Sequence, residues 1–314
     1  MTLGKKTYYD IITDKLYIRR FQLRKFKICF LVAILLIFVY LYFENTSLIT
    51  VDKTDIVSNK IDSSFNGYKI LQLSDLHSRR FGKNNKNLIK KIDKIDPDII
   101  VCTGDMMNST DDEGNVFINL VGKLTKNYPV YYIDGNHEQL VQYNNVSVYD
   151  DYIASLKNLG VHVLKNKKVQ VRKGSSYINM YGLNIDLIYY STQNDLKNSN
   201  IKYSERNFSK TINKETFEKD KFNVLLTHDP LYFEVYEKSK VDLILTGHIH
   251  GGIVRIPFKG GLLSPDQDWF PRYYHGLYTL NDTKMIVSAG LGNYTVNFRF
   301  FNPFEINLIT LKSE

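Results

Sequence analysis

Past residue 50 the chain alternates short runs of apolar, β-favouring side chains with stretches in which apolar positions recur at helical spacing. Strands are predicted over residues 68–74, 98–102, 128–133, 177–183, 222–226, 241–245, 284–287 and 305–311, and helices over 87–95 and 149–159. Residues 191–221 are rich in Asn and Lys and less periodic, and they read as an exposed helix with loops. No fixed-period repeat interrupts the pattern. Such alternation implies an α/β fold, with sheets covered by helices.

A different pattern precedes it. Residues 28–43, ICFLVAILLIFVYLYF, form one uncharged apolar run. As a helix rising about 1.5 Å per residue it covers about 24 Å, a little less than a hydrocarbon core of about 30 Å. Phe26 adds length, Lys25 and Lys27 can snorkel, and Tyr40 and Tyr42 suit the interface. No Ala-x-Ala cleavage signal follows, because Ala33 is inside the run and the next alanine is Ala154. The run is therefore expected to remain as an uncleaved membrane anchor.

Charge sharpens this reading. The sequence pI is about 9.1 and the formal net charge +8. Residues 1–27 hold eight basic side chains against Asp10 and Asp14, so six of the eight net charges precede the anchor. By the positive-inside bias the N-terminus is expected in the cytoplasm and the large domain outside, single-pass in the cell membrane. The stretch from Arg19-Arg20 to Lys25 loosely resembles a twin-arginine export signal, and either export route gives the same topology. The rest of the chain is near neutral and lacks a basic track, which argues against a nucleic-acid substrate. Cys29 and Cys102 lie in apolar surroundings, which argues against a disulfide framework and reads Cys102 as a buried thiol.

The candidate chemistry sits where the predicted strands end. Five of them run into Ser74-Asp75-Leu76-His77, Thr103-Gly104-Asp105, Asp134-Gly135-Asn136-His137-Glu138, Thr227-His228-Asp229 and Thr246-Gly247-His248-Ile249-His250-Gly251-Gly252. In α/β sheets ligand sites collect at the carboxyl ends of strands. Singly these clusters are commonplace surface pairs, turns or helix caps; five in order point to one site. On an extended strand end, Asp75 and His77 would project on the same side, and His248 and His250 repeat the spacing. Carboxylate, imidazole and amide oxygen together suit divalent Mn, Fe, Zn or Co.

The ordered blocks DxH, GD, GNHE, H and GHIHGG resemble the calcineurin-like metallophosphoesterase superfamily over residues 66–314. A closer resemblance is to its membrane-anchored bacterial YkuE-like branch. It is carried by Phe81-Gly82 after the first block, Arg255-Ile256-Pro257 after the last, and the stretch from Arg299-Phe300-Phe301 to Glu305-Ile306. The resemblance implies a β-sandwich flanked by helices. With the charge and the apolar run read above, the chain divides into a basic N-terminus (1–27), a transmembrane helix (28–43), a linker (44–65) and, where the resemblance lies, a metallophosphoesterase domain (66–314). It further implies two divalent metal ions. Asp75, His77, Asp105 and His250 would hold one; Asp105, Asn136, His228 and His248 would hold the other. His137, outside both sets, would contact the phosphate or protonate the leaving oxygen. Two such ions about 3.5–4 Å apart can clamp a phosphoryl group and lower the pKa of a bridging water toward 7.

Arg79 and Arg80 follow the first block and suit a phosphate, and the aromatic segment 257–278, with Trp269, Arg272 and His275, is a candidate lid or cleft wall. The leading expectation is a phosphohydrolase acting on a membrane- or envelope-linked phosphodiester or pyrophosphate, a small molecule or a lipid. Some relatives in the broad group cleave the UDP-2,3-diacylglucosamine pyrophosphate link, although the outward topology argues against a UDP-linked substrate. A nucleotide phosphodiesterase or nuclease is one alternative. A membrane-tethered metal-binding scaffold without turnover is the other.

Overall fold

The computed structural model describes residues 8–109, 112–190, 203–212, 217–293 and 298–314. It opens with helix α1 (Tyr8–Thr46), whose portion Arg19–Thr46 is long and apolar enough to cross a membrane; its most apolar stretch is not covered by the rest of the protein, while Glu44 in its last turn is buried. The helix thus extends well past the 16-residue apolar run on its N-terminal side.

The body contains β1 (Ile49–Ser58), β2 (Tyr68–Leu73), α2 (Lys86–Ile95), β3 (Ile99–Thr103), α3 (Asn115–Leu124), β4 (Val130–Ile133), α4 (Asn136–Asn144), α5 (Val146–Asn158) and β5 (His162–Val163). It continues with β6 (Lys167–Lys173), β7 (Ser176–Leu183), α6 (Glu205–Thr211), β8 (Asn223–Thr227), α7 (Phe233–Glu237) and β9 (Leu243–Thr246). A small hairpin, β10 (Arg255–Ile256) and β11 (Gly260–Gly261), precedes β12 (Gly276–Leu280), β13 (Thr283–Val287) and β14 (Phe304–Ser313). Of the Asn- and Lys-rich stretch 191–221, residues 191–202 and 213–216 lie outside the described residues, and α6 supplies its helix.

Two six-stranded sheets result, ordered β1-β14-β2-β3-β4-β5 and β12-β13-β9-β8-β7-β6. β2, β3, β4 and β5 run parallel in the first, and β7, β8, β9 and β13 in the second. Alternate side chains of each central strand face opposite ways. Ile70, Ile99, Val101 and Ile133 of one sheet therefore meet Met180, Val224, Leu226, Leu245 and Ile286 of the other in a shared core. The opposite faces are also apolar. Leu71, Leu73, Ile100, Cys102 and Tyr132 pack beneath α2, α3 and α5, and Tyr181, Leu225, Ile244 and Met285 beneath α6 and α7. Strands apolar on both faces are what a helix-covered parallel sheet requires. The sandwich flanked by helices is as expected.

The region read as a linker, residues 44–65, differs from that expectation. It contains β1, which pairs in parallel with β14 along ten residues. As an edge strand β1 fully buries only Ile49 and Ile56, so its alternation is faint in the sequence. Helix α3 also escaped the reading, although Phe117, Leu120, Val121 and Leu124 recur at helical spacing and are all buried.

Near the carboxyl ends of the strands the core turns polar. Buried Gln72 donates to Thr103 Oγ1 (3.0 Å) and, across the sandwich, to the Thr246 carbonyl (2.8 Å), while Thr103 donates to Ser74 Oγ (2.8 Å). These bonds join the two sheets just below the candidate site. Gln72→Leu would remove both of its bonds, leaving the Thr246 carbonyl with the Ser288 N–H alone. Thermal denaturation of the full chain in detergent should show it destabilised by about 1–3 kcal/mol, more than the roughly 0.5–1.5 kcal/mol expected for Ile70→Val.

Candidate metal centre

The carboxyl ends of β2, β3, β4, β8 and β9 bring the five sequence blocks together. Asp75, His77, Asp105, His137, His228, His248 and His250 are all buried. Their ligand atoms form overlapping groups: Asp75, His77 and His250; His77, Asp105 and His137; Asp105, His228 and His248. His77 Nε2 lies 3.1 Å from His250 Nε2, and Asp105 Oδ2 lies 3.1 Å from His228 Nε2 and 3.8 Å from His77 Nε2.

The local backbone departs from the extended geometry expected for the Asp-x-His and His-x-His pairs. Asp75, His77, Asp105, His248 and His250 all have positive φ, between 45° and 70°. They converge through left-handed turns rather than through the strand pleat. Non-glycine residues in this region are uncommon and tend to mark functional sites. Backbone pairing beyond the strand ends holds them there: Asp75 N–H donates to the Gly104 carbonyl (3.0 Å) and His77 N–H to the Asp105 carbonyl (3.0 Å).

Main-chain amides also aim the carboxylates. Asp105 Oδ1 accepts from His137 N–H and Asp75 Oδ1 from His248 N–H, each at 2.9 Å. Glu138 lies beneath, accepting from the amides of Asp105, Met106, Met107 and Gly135 at 2.7–3.2 Å. Burial and the nearby Asp105 and Asp134 raise its carboxyl to about 8, against the pull of those amides. Its position three residues into the GNHE block gave the sequence reading no cue to this supporting role.

The imidazoles are oriented from behind. His228 Nδ1 bonds the Thr103 carbonyl at 2.6 Å and His250 Nδ1 the Gly292 carbonyl at 3.2 Å. A carbonyl only accepts, so both Nδ1 atoms carry hydrogen and both Nε2 atoms turn toward the carboxylates. Burial lowers His77 and His250 to about 3, which keeps them neutral, the form a metal requires. His228 and His248 rise to about 9 and 10, because Asp105 and Asp266 respectively outweigh burial. Burial alone would raise Asp105, yet His228, His137 and His77 hold it well below the usual carboxylate range. Asp75 Oδ2 and Asn136 Oδ1 are buried acceptors without a donor. Orphaned acceptors beside the neutral imidazoles of His77 and His250 and a shared carboxylate fit a divalent cation, which would take the place of the protons on His228 and His248.

Two neighbours were not foreseen. Asp266 Oδ2 stands 3.0 Å from His248 Nε2, and the Tyr190 ring meets the His248 ring edge-on at 5.3 Å. Asp266 lies within the aromatic segment 257–278, where no spacing distinguishes it. The structure directs most of the substrate-contact candidates elsewhere. Arg79 donates to the Asn45 carbonyl and lies 4.0 Å over the Phe304 ring. Arg272 pairs with Glu234, and His275 Nε2 lies 2.6 Å from Glu305 Oε2. Arg80 and Trp269 are exposed.

A sandwich with this cluster on its strand ends defines a metallophosphoesterase-type domain. The chain belongs to the calcineurin-like phosphoesterase family, whose model matches residues 68–252. It is 29% identical to the uncharacterised metallophosphoesterase YkuE of Bacillus subtilis over 278 residues, 87% of this chain and 88% of that one. It is 30% identical to an uncharacterised metallophosphoesterase of Campylobacter jejuni over 256 residues, 78% of this chain but 59% of the relative's length. Phosphodiesterase YaeI of Escherichia coli is 25% identical over 232 residues, 72% of this chain and 76% of its own.

Gly247 is packed against this centre. A Cβ there would stand 2.0 Å from Ser74 Oγ and 2.3 Å from Asp75 Oδ2. Gly247→Ala should therefore displace Asp75 and weaken Mn(II) binding by about 10- to 100-fold in chelator competition, with circular dichroism unchanged.

Proposed function

We propose that this chain hydrolyses phosphoric esters through a two-cation centre, acting on a phosphodiester or pyrophosphate carried at the membrane or in the cell envelope. The observation that carries the reading is the placement of Asp105, whose Oδ2 is shared between the His77 side and the His228 side. One cation then takes Asp75, His77, Asp105 and His250, and the other Asp105, Asn136, His228 and His248. When bound, the pair offsets phosphoryl charge and supplies a hydroxide nucleophile near neutral pH. The name of the E. coli relative supports a diester over a monoester.

His137 has a separate task. Ser109 N–H donates to its Nδ1 at 3.0 Å, so the ring hydrogen sits on Nε2. That contact disfavours a second ring proton. It supports His137 as a hydrogen-bond donor to a phosphoryl or leaving-group oxygen rather than as an imidazolium acid. Fixed donors of this kind act where charge develops in the transition state.

The basic residues ahead of the apolar run 28–43 support a cytoplasmic N-terminus and an external catalytic domain.

Two measurements test the centre and one the topology. Asp105→Ala should cut bound metal from two equivalents to below one by mass spectrometry and abolish turnover. His137→Ala should keep both metals and lose roughly 10²–10³-fold in turnover of bis-p-nitrophenyl phosphate; full activity would remove its assigned role. Alkaline phosphatase fused after Glu314 should be active and a green fluorescent protein fusion dark, and the reverse pattern would invert the topology.

A further inference from the structure

Among the described residues outside α1, several exposed aromatic side chains fall on connected segments of the chain. Phe258 is fully exposed, Trp269 is 68% and Phe270 54% exposed, and Phe298 and Phe301 are 42% and 37% exposed. They are far apart in sequence but joined through the backbone. Arg255 N–H donates to the Phe300 carbonyl, Leu262 N–H to Val254, and Phe270 N–H to Leu262, at 2.8–2.9 Å. Val254 bridges Phe300, Leu263 bridges Trp269, and Phe258 lies in the turn between β10 and β11.

This set is anchored against the end of α1. The Tyr40 and Phe301 rings stack at 5.7 Å. Tyr40 lies six residues before Thr46, the last residue of the candidate span, hence roughly 9 Å inside it at about 1.5 Å per residue. Buried Glu44 accepts from the amides of Phe301 and Asn302, and Asn45 exchanges two bonds with the Arg299 backbone, at 2.9 and 2.6 Å. The segment 299–302 is thereby held at the level of the helix's last turns.

The same segment reaches the metal ligands. Asn302 Nδ2 donates to the His250 carbonyl at 2.7 Å, and Trp269 stands three residues after Asp266, the partner of His248. A cleft of about 540 Å³ opens between the hairpin and Phe301, with Arg255, Lys259, Tyr274 and His275 around it. Aromatic rings flanked by basic side chains are what the headgroup boundary of a bilayer accommodates.

We propose that the face carrying the metal ligands is seated on the bilayer, with Phe258, Trp269, Phe270, Phe298 and Phe301 entering the headgroup–acyl boundary. Substrates are then phosphoesters presented at headgroup depth. This rests on α1 spanning the membrane and deepens the phosphoesterase reading by fixing where its substrate is met. A group of exposed aromatics on a domain that is near neutral has another standard occupant, a protein partner or a second copy. Tyr40, inside the span and in contact with the patch, favours lipid.

Trp269 is the only tryptophan, so it reports on the patch alone. The full chain reconstituted in phosphatidylcholine–phosphatidylglycerol vesicles should emit with a blue shift. Acyl-brominated lipid should quench that emission at least twofold and aqueous iodide should scarcely do so. Phe258→Ser with Phe270→Ser should at least halve the bromolipid quenching. Red-shifted, iodide-accessible emission overturns the proposal, as does a blue shift insensitive to bromolipid, which would mean a covering protein. Bis-p-nitrophenyl phosphate turnover on the same vesicles separates the two readings. Quenching without turnover keeps the seating and removes the phosphoesterase; turnover without quenching does the reverse.

Discussion

The structure depends most on how the Asp105 carboxylate is held. One oxygen is fixed by the His137 amide and the other is left facing His228 and His77. A buried carboxylate among imidazoles is tolerable only if every neighbour is oriented, because an unpaired charge in a dry interior costs several kcal/mol. The orientation comes from layers behind it: the Thr103 and Gly292 carbonyls fix two imidazoles, and Glu138 gathers the amides of the turns. The Gln72 bridge then fixes the separation of the two sheets from which those turns emerge.

The left-handed backbone at five of the candidate ligand residues belongs to the same design. Each such residue costs of order 1–3 kcal/mol, although Asp and His tolerate this region better than most side chains. What holds them is pairing between loops and the packed sandwich below. A site of this kind is rigid because its turns are over-determined from several directions at once.

Much of this was legible in the sequence, and the limits are physical. β2, β3, β4, β8 and β9 announce themselves because strands buried on both faces leave largely apolar runs, and the clusters at their ends carry the candidate ligands. β1 was hidden because, as an edge strand, it fully buries only Ile49 and Ile56. The left-handed turns were hidden because Asp and His occupy both conformations, and the choice is made by partners elsewhere in the chain. Asp266 was hidden because its link to His248 is set by a long loop, and Arg79 and His275 were misdirected because a charge near a motif says nothing of which neighbour claims it.

The pairing of β1 with β14 bears on how the protein comes to exist. Thr50 and the Phe304 carbonyl it bonds are 254 residues apart, and β14 sits between β1 and β2. Contacts of such long range form late in folding. The strand that leaves α1 first must therefore wait, unpaired, until residues 304–313 have been made and delivered to the same side. During synthesis that open edge is an aggregation hazard. The four charged side chains Asp52, Lys53, Asp55 and Lys60 on and beside β1 act as its gatekeepers until its partner arrives.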